Sequence, residues 1–166
     1  MSEKKAKPTV AEIAGEYLEG DNLKVFMDFY EFIKANKLSL DESGKGRWVV
    51  KYKGKRICHL GARNPFADHP CTWFISFYKD KDLLARCEKY VTYELKQFIL
   101  DNIYVRYGTD CEGCGGKTNM VILGKLFTER VCGCHTLRLN DPDAKAVEYA
   151  KEIVLMNKKI VADMMA

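Results

Sequence analysis

Residues Arg47 to Ala62 read RWVVKYKGKRICHLGA, and this stretch decides the fold class. Trp48, Val50 and Tyr52 alternate with Val49, Lys51 and Lys53, the period-two pattern of a strand with one packed face. The turn at Lys53-Gly54-Lys55 sends the chain back through RICHL, so the segment is a β-hairpin. NPFADHP interrupts the sheet with two prolines, and TWFISFY gives another strand, with Trp73, Ile75 and Phe77 on one side and Phe74, Ser76 and Tyr78 on the other.

On the N-terminal side, residues 1 to about 10 read as a lysine-rich tail, followed by a short helical turn around Ile13, Tyr17 and Leu18 that Gly20 ends. Asp21 then caps a helix running to about Asn36. Leu23, Phe26, Met27, Tyr30 and Ile33 recur at three- and four-residue intervals, with Phe29 and Phe32 widening that face. LSLDESGKG is expected to be a loop.

On the C-terminal side, Asp80 or Asp82 starts a helix of about twenty residues, with Leu84, Cys87, Val91, Leu95 and Phe98 as its inward stripe. Residues 107–135 interrupt the domain and carry their own hairpin, NMVIL and KLFTERV joined near Gly124. TLRLN is a short strand. Asp141-Pro142 reads as the start of a closing helix, a capping carboxylate followed by proline at the first helical position. That helix carries Ala146, Ala150, Ile153, Val154 and Val161 on one side. Strands and helices do not alternate strictly, which predicts an α+β fold: a mostly antiparallel sheet, helices packed on one face, and an inserted zinc-binding segment. Residues 11–166 are expected to form one domain.

Composition narrows the class. A chain of 166 residues, 47% hydrophobic and 30% charged, buries a single core and is neither disordered nor membrane-inserted. No stretch reaches the roughly 18 to 20 apolar residues that span a bilayer, and the charged N-terminus lacks the apolar core of a secretion signal. A cytoplasmic location and no membrane partner are therefore expected. Seven cysteines, an odd number, agree with a reducing compartment: Cys58, Cys71 and Cys87 are scattered, while four others cluster.

The clustered set reads CEGC at 111–114 and CGCH at 132–135, seventeen residues apart. Two close pairs of soft donors across such a gap ask for one tetrahedral Zn2+. Gly113, Gly115 and Gly116 allow the tight backbone that brings Cys111 and Cys114 onto one ion. Cys132 and Cys134 complete a four-thiolate site, with His135 as the alternative fourth ligand. A thioredoxin-type dithiol would need a helix after the pair, and GGKTN does not start one. With four or five donors available and no H-E-x-x-H pattern, the ion is structural and leaves no open position for catalysis.

Two other constellations carry functional readings. Between Glu42 and Asp68 there is no acid, while Lys45, Arg47, Lys51, Lys53, Lys55, Arg56 and Arg63 all fall there. With nearby aromatic rings this basic hairpin is a candidate surface for nucleic acid; its plainer reading is a solvated sheet face. Trp48, Tyr52, Trp73 and Tyr90, with Glu94 as a polar anchor, are candidates to line an aromatic ligand pocket, although most such rings belong to a core. His59 and His69 have no partner at ligand spacing. Neither a nucleophile elbow nor a phosphate-binding glycine loop occurs.

KYKGKRICHL, WFISFY, the long helix and TLRLNDPDAKAVEYAKEIVLMNKKI resemble small uncharacterised bacterial α+β proteins of the YdhG-like type, over roughly residues 22 to 163. CEGC with GKLFTERVC resembles a cysteine-bearing Firmicutes subgroup, whose pattern Cys111, Cys114 and Cys132 match. That subgroup places a further cysteine where this chain has GGKTNM, which leaves Cys134 or His135 as the local substitute. The resemblance implies an α+β fold and no established activity. The sequence thus points to a non-enzymatic cytosolic domain with a structural zinc that presents a pocket or surface to a small ligand or protein; the alternative is a nucleic-acid-binding or regulatory protein using residues 45–63. An enzyme with dispersed residues around the aromatic pocket is a third class.

Overall fold

The structure, a computed structural model, describes residues 7–64, 71–77, 86–105, 119–128, 131 and 136–166. Helix α1 spans Val10–Tyr17, α2 Gly20–Ala35, α3 Tyr93–Asp101 and α4 Ala144–Met164. Strands β1 (Ser39–Gly44), β2 (Arg47–Tyr52), β3 (Lys55–Gly61), β4 (Phe74–Phe77) and β7 (Leu137–Asn140) form one sheet in the order β1-β2-β3-β4-β7. Every neighbouring pair in it is antiparallel. A separate hairpin joins β5 (Met120–Ile122) to β6 (Lys125–Phe127).

The expected α+β class and antiparallel sheet are what the chain forms. The hairpin at residues 47–61 turns through Lys53 (φ 46°) and Gly54 (φ 77°), the two left-handed residues that a tight hairpin turn demands. Leu123 (φ 48°) and Gly124 (φ 78°) do the same between β5 and β6. LSLDESGKG, read as a loop, instead supplies β1, with Leu40 opposite Val50 and Asp41 opposite Val49. Its acidic, glycine-containing composition hid a strand at the sheet edge, where charged side chains are well tolerated.

Helix boundaries also differ from the sequence reading. Thr9 caps α1 through a reciprocal capping box with Glu12, so the N-terminal tail does not reach residue 10. Glu19, rather than Asp21, is the N-cap of α2. The twenty-residue helix is broken. Arg86 and Cys87 are helical, residues 88–90 turn, and α3 starts afresh after Thr92, whose hydroxyl accepts from the Leu95 N–H at 3.2 Å. Its expected start at Asp80 or Asp82 lies outside the described residues.

At the last helix the cap is Asp143, accepting from Ala146 N–H at 2.8 Å. Asp141 sits at φ 43°, and its Oδ1 accepts from Thr72 and Trp73 N–H at 2.7 and 2.9 Å. A carboxylate that resembled a helix cap instead ties β7 to the start of β4. Val147, buried where Ala146 is only half-buried, opens the inward stripe of α4.

Register gives the sheet two unlike faces, because directly opposite residues share a side. Trp48, Leu60, Ile75 and Leu139 form one row and Val50, Cys58, Phe77 and Leu137 another. Both rows join the buried side chains of all four helices in a single core. Phe26 of α2 meets the rings of Trp48 and Trp73 at 6.1 and 5.6 Å. Helix α4 lies against β3 and α2. Among the described residues, no helix is long and apolar enough to cross a membrane.

Candidate functional site

The five candidate zinc ligands, Cys111, Cys114, Cys132, Cys134 and His135, lie outside the described residues. Among the described residues, no group of three or more His, Cys, Asp or Glu side chains is placed to hold a metal ion. The chain flanking the cysteines is described. Val105, six positions before Cys111, forms an antiparallel bridge with Val131, the residue before Cys132. Tyr104 N–H donates to the Thr136 carbonyl at 2.9 Å, and Ile103 bridges Leu137. Between the two cysteine stretches the β5–β6 hairpin pairs Met120 with Phe127. The described backbone ahead of the first stretch is therefore paired with the residues that flank the second.

The residues proposed to line an aromatic pocket are dispersed. Trp48 and Trp73 are buried around Phe26 as core, and the Trp73 indole N–H is buried with no hydrogen-bond partner among the described residues. Tyr52 is half-buried beneath the Lys158 ammonium, 5.2 Å from its ring centre. Tyr90 lies near the end of α4: its hydroxyl donates to Asp163 Oδ2 at 2.8 Å, a bond that holds the phenol pKa above its ordinary value. Glu94 lines an open groove of ≈ 520 Å³ between α3 and α4, above the stacked rings of Phe98 and Tyr149. Trp48 and Trp73 share Phe26 in the core, while Tyr52, Tyr90 and Glu94 lie elsewhere, because alternation assigns a face but not a neighbour.

A different cavity was not legible in the sequence. It occupies ≈ 50 Å³ between the sheet and the elements that cover it. Phe77 and Leu137 form its floor, Ile99 of α3 and Ile153 and Met156 of α4 its sides, and Ile122 and Leu123 of the small hairpin another wall. Cys87 also lines it, with a thiol pKa raised mainly by burial. The one carboxamide on this lining is Asn157, 7% exposed and without a side-chain hydrogen bond among the described residues. Its amide is not among the atoms sealed from solvent without a partner, so it stands at the edge of the apolar cavity as a polar contact point. Helical spacing put residue 157 on the buried side of α4, four after Ile153, but gave no reason to notice it.

The basic hairpin is largely occupied by its own surroundings. Lys51 pairs with Asp41, Lys45 with Glu16 at 2.9 Å, and Lys53 sits 5.6 Å over the Tyr52 ring. Lys45 and Arg63 both lie over Tyr17. Local acids and rings thus take up much of the positive charge that looked unopposed along the chain.

The face of the sheet turned away from the helices carries Val49, His59, Ser76 and Arg138 in one register row and Arg47, Gly61, Phe74 and Asn140 in the next. Its centre is not solvated: Ser76 is 0% exposed, Phe74 2% and Arg138 6%. Gly61 is required here, since a Cβ at that position would lie 2.3 Å from the Phe74 ring. The ring occupies the space a side chain would need, and the Arg138 guanidinium stacks on it at 4.0 Å. Comparison with protein-family models, curated proteins and solved structures gives no match for this chain.

Proposed function

We propose that this chain is a non-enzymatic small-ligand-binding module of a reducing, cytoplasmic compartment, with a structural Zn2+ fastening one wall of its cavity. Cys111, Cys114, Cys132 and Cys134 hold the ion, with His135 as the alternative to Cys134. The observation that carries the reading is the β5–β6 hairpin. It gives Ile122 and Leu123 to the cavity lining, and its two ends lead into the two cysteine stretches. The Val105–Val131 bridge supports convergence, because six extended residues reach at most about 20 Å.

A two-stranded hairpin of three-residue strands is marginal alone, and Val121 and Leu126 on its outer face are 64% and 59% exposed. Metal coordination supplies folding free energy that so little burial does not. Cys58, Cys71 and Cys87 are thiols rather than disulfides, in keeping with a reducing compartment. The ligand class follows from the lining: a small apolar molecule with one amide- or hydroxyl-like group to pair with Asn157.

Three measurements test this. Protein purified without a histidine tag should contain about one equivalent of zinc, and less than half an equivalent counts against the site. Cys111→Ser and Cys132→Ser should release the metal and lower the melting temperature; wild-type melting in both refutes a stabilising role. For the cavity, titration with butyramide should shift the NMR methyl signals of Ile122 and Ile153 saturably, and Asn157→Leu should abolish that shift. Signals that move linearly and everywhere refute the pocket.

A further inference from the structure

We infer that the outer face of the sheet holds a binding site for a small-molecule carboxylate, with Arg138 as its anchor. Arg138 lies on β7 and is 6% exposed, yet its described partners are all uncharged. Its Nε donates to Asn140 Oδ1 at 2.8 Å, and its Nη2 to Asn64 Oδ1 at 3.2 Å, with the Cys71 sulfur 3.9 Å away. The remaining terminal nitrogen, Nη1, has no hydrogen-bond partner among the described residues. None of the described carboxylates forms an ion pair with it either.

Arginine stays charged at any physiological pH, and a buried charge without a counter-ion is strongly unfavourable. The Phe74 ring beneath the guanidinium orients its plane and offsets part of that cost, but it supplies no net negative charge. Asn140 and Asn64 fix the guanidinium in that plane before anything binds. Among the described residues the guanidinium therefore has no ion-paired anion, the Asp141 carboxylate near Cys71 instead accepting from the Thr72 and Trp73 N–H groups, and it is already aligned. A single fixed positive charge with the N–H groups of Nη1 left over matches one carboxylate oxygen, a charge-assisted hydrogen bond. A phosphate dianion would ask for further cationic or N–H donors, and no described lysine makes a contact there. The aromatic floor favours a carboxylate with a flat or apolar body.

This site is separate from the Asn157 cavity, which lies on the helix-covered face, so the two readings fail independently. The test is thermal melting of the full chain at constant ionic strength, with chloride replaced by benzoate, acetate or phosphate. Benzoate should raise the melting temperature saturably, by about 5–10 °C at a hundredfold excess over its dissociation constant. Acetate should do so more weakly, and phosphate should match chloride. Arg138→Met should lose the benzoate response. If that variant does not fold, Arg138→Lys keeps the charge without the planar guanidinium held over Phe74 and should lose more than half of it. A wild type indifferent to benzoate, a response both variants retain, or an equal response to phosphate would each overturn the assignment.

Discussion

Replacing Asn157 with leucine should stabilise the ligand-free protein, against the usual cost of altering a buried residue. The carboxamide is 7% exposed, lies on the cavity-facing side of α4, and makes no side-chain hydrogen bond among the described residues. The Asn157 amide is not among the unpartnered side-chain atoms sealed from solvent, so it bears only part of the about 1–3 kcal/mol that an unpaired buried polar group costs. Leucine has nearly the same size and removes that term, and its branched end takes up part of the ≈ 50 Å³ void. A cavity of that volume weighs about 1 kcal/mol at ~24 cal/mol per Å³, so partial filling adds a few tenths. Helix propensity moves the same way, since leucine is a better helix former than asparagine. The expected gain is about 0.5–1.5 kcal/mol, or about 1–6 °C in melting temperature for a chain of this size. Urea unfolding followed by tryptophan fluorescence suits the measurement, because Trp48 and Trp73 both pack on Phe26 in the core. The midpoint should rise with the slope unchanged. A variant less stable by 1 kcal/mol or more would mean that the amide is satisfied in the native protein, and the account of the cavity would be wrong.

Two further outcomes follow from the sheet. Gly61→Ala should lower stability by about 1–3 kcal/mol, because the Phe74 ring cannot yield: it is 2% exposed and has Arg138 stacked on it. Wild-type melting of that variant would show that the ring has room to move. Stability should also fall in alkali. Burial raises the Cys58 thiol pKa far above its ordinary value, so the unfolded chain releases this proton near pH 8.5 while the folded chain keeps it. The contribution is complete below that pH and is lost above it, by about 1.4 kcal/mol between pH 7.5 and 9.5. Cys58→Val should flatten this part of the pH profile, and an unchanged slope would reject buried Cys58 as its source.

How much was readable in the chain depends on what each signal encodes. Period-two alternation and the Lys53-Gly54 turn specify local geometry, and β2 and β3 form where those signals stand. NMVIL and KLFTERV likewise give a hairpin turning at Leu123-Gly124. Capping motifs are more ambiguous, since a carboxylate ahead of a proline accepts from whichever N–H groups reach it. Asp141 meets those of Thr72 and Trp73, nearly seventy positions away, and Asp143 caps α4 in its place. The break before α3 was hidden because Leu84, Cys87, Val91, Leu95 and Phe98 keep helical spacing across it. Thr92, a good N-cap residue within that run, was the available sign.

Functional geometry was harder to read because it depends on register between distant strands. Arg138 sits in TLRLN between two leucines, which alternation assigns to the core while turning the arginine outward. Outward on a sheet with helices on one face usually means solvent. Here Asn64, Cys71 and Asn140 surround the guanidinium, and Phe74 lies beneath it because Gly61 has no side chain. Each of these residues is unremarkable in its own segment. Their chemistry emerges only when β3, β4 and β7 align, and that alignment is set by the apolar rows on the opposite face. A one-residue slip of β7 would turn Arg138 into the core and Leu137 and Leu139 out of it. The hydrophobic register that stabilises the fold therefore also determines where the buried positive charge is presented.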